Sequence, residues 1–589
     1  MHRQQIGNIP SGSLNRRTIL AGPAALLMMS AVDSSAALAQ RTLDGDIAVE
    51  AMLRSVAALR NPQASHAFSD ISFSATEARC EILRRKLGEI TQIERMALSD
   101  SAAETLAVLK WDLQTSTREA DFYWLGFPLS PYTSVLGAAQ ETCRTYTFSN
   151  SADLAGYVAL LMDLPRLLLQ VQQKLRGQMR RGIATHPEQV TAVVAAIQGL
   201  HDSASQRFNV APARLTSVPE GRRSAFEAEV ARVISTSTRP ALARLVQFMR
   251  TEYRPDPNPR VGVARYPNGT DYYRHLINYR VGKDLDPHEM HRAALVDLAN
   301  SEQQLAGLRR DLGFRGSREE FHLDLLTNPR WIASDEADIA ARFNAAIRKI
   351  EPHIDQYFSK RPNAPYRVQP LPAELQDTIV NGIYQRPAPG NPYGTYLFNG
   401  SRLSDTSWAW AAPLIYHELV PGHHFQIATQ LESRTLPPYR KNLITYGFAE
   451  GWGEYARGLA EEMGVYRDDP IGLYTSKLMD ARFATTTVAD TGIHAMGWTL
   501  DQAEACLAGN PMIKPNLRRR LVLAYGIDFP GNSFSYWYGR KAFAQLRLQA
   551  AAARGTRFDV RDFHQMVLDG GCLPLPILED RAKRWAGSA

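Results

Sequence analysis

Residues Tyr416–Gln426 read YHELVPGHHFQ. His417 and Glu418 open this run as a zinc peptidase motif opens, with a ligand histidine followed by a glutamate that can serve as base. In the usual H-E-x-x-H pattern the histidines stand four apart, so one helical turn puts both on one face. Here Pro421 fills the fourth position, and His423 and His424 arrive two and three residues late. On an unbroken helix a residue six positions on points about 120° away, and one seven on lies roughly 10 Å along the axis. Neither could share a metal with His417 while the helix stays regular.

Pro421-Gly422 offers a remedy. Proline removes a backbone donor and clashes with the preceding turn, and glycine accepts the dihedrals that result. A bulge absorbing two extra residues would bring His423 to the ligand position, and one absorbing three would bring His424. His423 is the expected second ligand. His424 is the alternative, and otherwise a group beside the ligands or the substrate. Glu418 is the expected general base.

A third ligand should be a carboxylate on a following helix. ITYGFAEGWGEYARGLAEE (444–462) carries Glu450 and Glu454 one turn apart on one face. Glu450 is the expected ligand and Glu454 the group that orients a ligand histidine. The same stretch holds Gly447, Gly451, Gly453 and Gly458, each costing a helix roughly 1 kcal/mol relative to alanine. Four of them imply close approach to another backbone, here expected to be the motif helix. Isolated histidines are common in cores. But three of the chain's 14 histidines fall within eight residues here, beside a glutamate. The pattern calls for one Zn2+ ion with an open position for water.

The rest of the chain narrows the setting. Its 589 residues, 44% hydrophobic and 22% charged, describe a globular protein with room for a large core. The formal charge of +7 is spread along the chain with no dense basic tract, so no nucleic-acid partner is expected. Arg16-Arg17, the apolar run AGPAALLMMSAV and the small-residue sequence ALAQ form a twin-arginine export leader. Cleavage is expected between Ala39 and Gln40, leaving residues 40–589 as one periplasmic or secreted domain. No other stretch reads as long and apolar enough to cross a bilayer, so no stable membrane association is expected. Cys80, Cys143, Cys506 and Cys572 lack metal or redox spacing and read as small buried apolar residues.

Helical periodicity dominates. It runs through residues 99–122, through 152–183 with Pro165 expected to kink or divide the helix, and through 284–308. The last is capped by Asp286, with Pro287 in its first turn and a stripe of Leu295, Leu298, Leu305 and Leu308. His288 and His291 on it read as surface or core polar groups. Pro/Gly-rich stretches at 254–270 and 385–394 read as loops. Strand character is confined to 366–400, in YRVQPLP, TIVNGIYQ and GTYLFNG, so a small sheet directly precedes the motif.

YHELVPGHHFQ, FAEGWGEYA, ADTGIHAMGW (489–498) and PGNSFSYWYGRKAFAQLR (530–547) resemble, in order, the motifs of the DUF885 family. DYYRHLINY and DLDPHEMH extend the resemblance over most of residues 60–585. One departure is Gly453-Glu454 after E-G-W, where the family more often has small apolar residues. The resemblance implies a mainly α, zincin-like fold with its small sheet next to the metal-binding helix. It also implies a zinc-dependent peptidase or related amidohydrolase.

The later motifs provide candidates for further roles. His494, Tyr536 and Tyr538 could donate a hydrogen bond to a developing oxyanion. Asp490 would orient His494, placed in a loop before a capping box at Thr499–Gln502. Arg482 and Arg540 could hold a substrate carboxylate. Asn399 could bond a peptide laid along the sheet edge. The expected function is hydrolysis of peptide or related amide bonds in a peptide or small amide substrate. The rivals are a non-peptide amidohydrolase and a catalytically dead binding protein on the same scaffold. Glu418 argues against the latter, since a structural site needs no base.

Overall fold

The computed structural model describes residues 23–59, 66–376, 382–388, 390–401, 403 and 407–587. Helices make up most of it, with one three-stranded sheet. Arg16-Arg17 lies outside the described residues. Pro23–Leu59 forms one helix (α1), so the expected cleavage point falls within it. The α1 residues in the hydrophobic core, Val49, Met52, Leu53 and Val56, all follow that point.

Ala152–Met179 (α2) runs without interruption through Pro165, so the proline does not divide it. By length and composition α2 is long and apolar enough to cross a membrane, which corrects the expectation that no such stretch follows the leader. Its Leu160, Leu161, Leu164, Leu167 and Leu168 are buried against residues 193–249 in a helical core. Gly269–Val281 (α3) and Pro287–Asp311 (α4) follow. The Asp286 carboxylate caps α4, accepting from the His288 and Glu289 amides. On α4 the expected leucine stripe is incomplete: Leu305 is fully buried but Leu295 is 44% exposed. His291 is a core group, its Nδ1 2.8 Å from Thr491 Oγ1.

The sheet forms where strand character was confined. Tyr366–Pro370 (β1), Gly382–Gln385 (β2) and Gly394–Phe398 (β3) pair in the order β1-β3-β2. β1 runs parallel to β3 and β2 antiparallel to it. Tyr396 and Phe398 of β3 pack on Phe343, joining the sheet to the largest core.

That core gathers the helices that carry the site: Ala411–Glu418 (α5), His423–Glu432 (α6), Tyr446–Glu462 (α7), Pro470–His494 (α8) and Ser533–Arg554 (α9). The four cysteines are free, and Cys80, Cys143 and Cys572 are buried.

Candidate metal centre

The motif does not form a bulged helix. α5 ends at Glu418 and α6 starts at His423, and Leu419–Gly422 between them leave helical geometry altogether. Leu419 sits at φ −115°, ψ −80° and Gly422 at φ −77°, ψ −127°, with a cis peptide bond between Val420 and Pro421. A side chain at 422 would place its Cβ 1.7 Å from the His417 carbonyl oxygen, so only glycine fits. Trp452 Nε1 donates to the carbonyls of Pro421 and Gly422, at 3.1 and 3.2 Å, and pins this break to α7. The break, rather than a bulge, frees His423 from the register that would turn it away from His417.

The imidazoles of His417 and His423 meet edge to face, with centroids 4.5 Å apart. Glu450 Oε2 lies 3.5 Å from His417 Nε2 and 3.4 Å from His423 Nε2. One donor atom from each residue lies within 4.8 Å of the others. Donors around a tetrahedral zinc, each about 2.0–2.2 Å from the ion, stand roughly 3.3 Å apart, so the two measured spacings fit such an ion. The side chains of His423 and Glu450 are 12% and 21% exposed, so this side of the cluster is not sealed from solvent. Three carboxylates, Glu418, Glu450 and Glu454, surround two imidazoles. Burial alone would lower the His417 pKa, but Glu450 and Glu454 raise it to about 10. Burial alone would raise Glu450, yet His417 and His423 hold it well below the usual range. The field at this point favours a cation.

Glu454 approaches the other side of the His417 ring. Its Oε1 is 2.8 Å from Nδ1, short of ideal alignment for a hydrogen bond. Its Oε2 accepts from Arg457 Nε and Nη2, at 2.9 and 2.7 Å. Arg457 is fully buried and also donates to Ser476 and Asp480. Gly453 makes the arrangement possible, since a Cβ there would come within 2.7 Å of the His417 ring. The Gly453-Glu454 pair therefore works as a unit: the glycine admits the imidazole and the glutamate meets its Nδ1.

His424 points elsewhere. Its Nε2–H donates to the Ala364 carbonyl at 2.9 Å, and its Nδ1 accepts from the Tyr384 hydroxyl at 3.0 Å. Burial pushes its pKa down to about 4, in keeping with a neutral ring. The residue ties α6 to the sheet. Gly394 permits this, because a Cβ there would sit 2.1 Å from His424 Nδ1.

Glu418, at the end of α5, is half-buried, and burial pushes its carboxyl above the usual range. The charges of His417 and His423 oppose that shift. Tyr536 of α9 lies nearly parallel to His417 at 6.3 Å and to Phe483 at 4.7 Å. Burial, then the Glu450 and Glu418 charges, hold its hydroxyl protonated. It is the oxyanion candidate that the fold brings to the cluster.

The other candidates fall away from it. His494 is the last residue of α8, not a loop residue, and is 1% exposed. Its Nδ1 accepts from the Val263 amide and its Nε2–H donates to the Tyr525 carbonyl, so neither nitrogen is free for chemistry. Asp490 serves Tyr273, Gly531 and Ser533. Tyr538, two residues from Tyr536 and hence on another face of α9, bonds Lys283. Asn399 follows β3, the central strand, so it borders no open edge; its amide bonds Gln376 and Ser401. Arg540 pairs with Asp480. Among the described residues Arg482 has no such partner.

The α7 glycines also need correction. The backbone they approach is chiefly that of α9: a Cβ on Gly451 would lie 2.7 Å from Gly539 Cα. Gly447 faces Arg280 and Val281 of α3, and only Gly453 faces the motif, through the His417 side chain.

Residues 55–581 match the profile of the family described as "Bacterial protein of unknown function (DUF885)". The chain belongs to the DUF885 family. No curated protein matches the sequence. Among solved structures, this DUF885 protein resembles a presumed lipoprotein from Colwellia psychrerythraea, with TM-score 0.79 at 20% identity, covering 93% of this chain and 97% of the other. It also resembles a presumed lipoprotein of unknown function from Shewanella oneidensis, with TM-score 0.66 at 17% identity, covering 90% and 98%. These likenesses establish a shared fold.

Sequence reasoning missed Tyr384, Trp452 and Arg457 in this DUF885 protein. Arg457 stands three residues after Glu454, a spacing that pairs side chains on a helix. Trp452 sits inside the quoted E-G-W run. Tyr384 reaches the site only through strand pairing, for which no local signal exists.

Proposed function

We propose that this DUF885 protein is an exported, zinc-dependent hydrolase of peptide or related amide bonds. The observation that carries the reading is Glu450 Oε2 standing 3.5 and 3.4 Å from the Nε2 atoms of His417 and His423, with Glu418 following His417 in the chain. A zinc ion held by these three would polarise the scissile carbonyl and make water acidic enough to attack near neutral pH. Glu418 accepts the proton of the attacking water and passes it to the departing amine nitrogen. Tyr536, kept protonated by its surroundings, donates to the carbonyl oxygen as negative charge develops there. Glu454 holds the His417 ring in the orientation that leaves Nε2 free for the ion. Export is supported by the twin-arginine leader pattern and by the lipoprotein descriptions of the structural relatives.

The test is metal analysis of the purified protein together with a mixed-peptide digest read by mass spectrometry, for wild type and Glu418→Gln. Stoichiometric zinc in both, with cleavage by wild type alone, is the expected result. Wild type that binds no zinc would overturn the site, and equal cleavage by the variant would remove Glu418 from its role.

A further inference from the structure

The cations bordering the centre are almost all matched with acids. Arg457 pairs with Glu454 and Asp480, Arg540 with Asp480, Lys541 with Asp297 and Lys477 with Glu461. Arg540 and Lys541 line a cavity of about 330 Å³ beside Tyr536 and Phe483, with their acids in the same wall. Arg482 is the exception. Among the described residues no carboxylate or other acceptor meets its guanidinium, and its Nε is shut off from solvent without a partner. The side chain is half-buried, so its charge is neither paired nor fully hydrated.

The position of Arg482 connects it to the chemistry. Its guanidinium carbon lies 5.8 Å from the Phe483 ring centre. Phe483 stacks on Tyr536 at 4.7 Å, and Tyr536 continues to His417 at 6.3 Å. The Tyr536 hydroxyl, buried, feels the charges of Glu450 and Glu418 and, in the opposite sense, that of Arg482. Thus a run of two stacked rings, Phe483 and Tyr536, joins an unmatched guanidinium to the metal-ligand cluster. Its planar fork suits a carboxylate, which it can grip through two parallel hydrogen bonds.

We propose that Arg482 is the specificity-determining residue of this centre and recognises a free carboxylate, so that the substrates are peptides or N-acylated amino acids cut next to their carboxyl end. This rests on the hydrolase reading above. It also replaces Arg540, the other sequence candidate, whose charge Asp480 already takes.

The test is calorimetric binding of N-acetyl-phenylalanine and of its C-terminal amide, to zinc-loaded and to metal-stripped protein. Wild type should bind the acid at least about tenfold more tightly than the amide in both states. Arg482→Gln should bind the two alike while keeping its zinc, and Arg482→Lys should retain part of the preference. The proposal is overturned if wild type does not discriminate, if Arg482→Gln still does, or if discrimination disappears with the metal, which would place the carboxylate on the ion. Discrimination that survives in a protein unable to cleave any peptide would sink the hydrolase reading and leave the Arg482 assignment standing.

Discussion

Glu454 Oε1 stands 2.8 Å from His417 Nδ1 while Glu454 Oε2 accepts two hydrogen bonds from Arg457. Glu454 and Arg457 are both fully buried. A buried carboxylate needs a cation, and this one is shared between Arg457 and the Nδ1 side of the His417 ring. Burial alone would raise the Glu454 pKa, but Arg457 and then His417 bring it down to about 2, so it stays charged. Replacing it with glutamine keeps the shape and removes the charge. Glu454→Gln should weaken zinc binding by about 10–100-fold, measured by chelator competition. Unchanged affinity would show that Glu454 does not act on His417. Arg457→Met should instead act on stability, by about 3–5 kcal/mol, because it strands the fully buried Glu454 without its guanidinium, whereas Asp480 keeps Arg540. Denaturant unfolding of the metal-free protein reads that effect.

The second prediction separates neighbouring histidines. His423→Ala removes an Nε2 that lies 3.4 Å from Glu450, and should abolish stoichiometric zinc binding. His424→Ala removes a ring whose two nitrogens serve Ala364 and Tyr384, and should keep the metal. Its cost should appear as about 1–3 kcal/mol of lost stability, since buried polar partners lose their bonds. The opposite pattern in zinc content would exchange the two assignments.

The third prediction concerns the crossing of α7 and α9. Gly451 and Gly539 face each other there, and a Cβ on either would come within 3 Å of the opposing backbone. Gly451→Ala or Gly539→Ala forces the helices apart at the segment that carries Glu450. Each should destabilise by about 1–3 kcal/mol through overpacking, more than offsetting alanine's better helix propensity. A rise in the unfolding midpoint for either variant would refute the close crossing.

How far the sequence could be read follows from the range over which each feature is determined. The meeting of His417, His423 and Glu450 was legible because it is carried by residue type and by three helices close together in the chain, α5, α6 and α7. The helix around Glu454, the Asp286 cap and the strand region 366–400 were legible for the same local reason. Bulge versus break was not legible, because Trp452 settles it from thirty residues away by holding the Pro421 and Gly422 carbonyls. His494 read as catalytic because histidine beside aspartate and glycine suggests chemistry, whereas the fold commits its ring to the backbone of Val263 and Tyr525. Asn399 was misread because strand order is a tertiary property: β3 is central although it comes last in the chain. The glycines of α7 announced a close approach without naming the partner, and α9 lies some eighty residues on.

The last prediction is an acid sensitivity located away from the metal. His564 is fully buried, with Nδ1–H donating to the Tyr357 carbonyl at 2.8 Å and Nε2 accepting from Tyr455 at 2.9 Å. Phe358 stacks on its ring at 4.8 Å, and Arg547 adds repulsion toward a second proton. Burial accordingly lowers its pKa from 6.5 to about 3. Well above pH 6.5 the ring is neutral whether the chain is folded or not, and it adds no pH dependence to stability. Below that, the unfolded chain takes up a proton that the folded one refuses, so stability falls as pH drops from 6.5 toward about 3. By about pH 5 this group alone should have removed roughly 2 kcal/mol. His322 and His275, each lowered to about 4 mainly by burial, act in the same direction. Denaturant midpoints of the metal-free protein from pH 7.5 to 5 should decline for wild type and decline less steeply for His564→Phe, whose ring can keep the stack on Phe358 but cannot titrate. Equal slopes in the two proteins would mean that His564 is not held neutral by its burial.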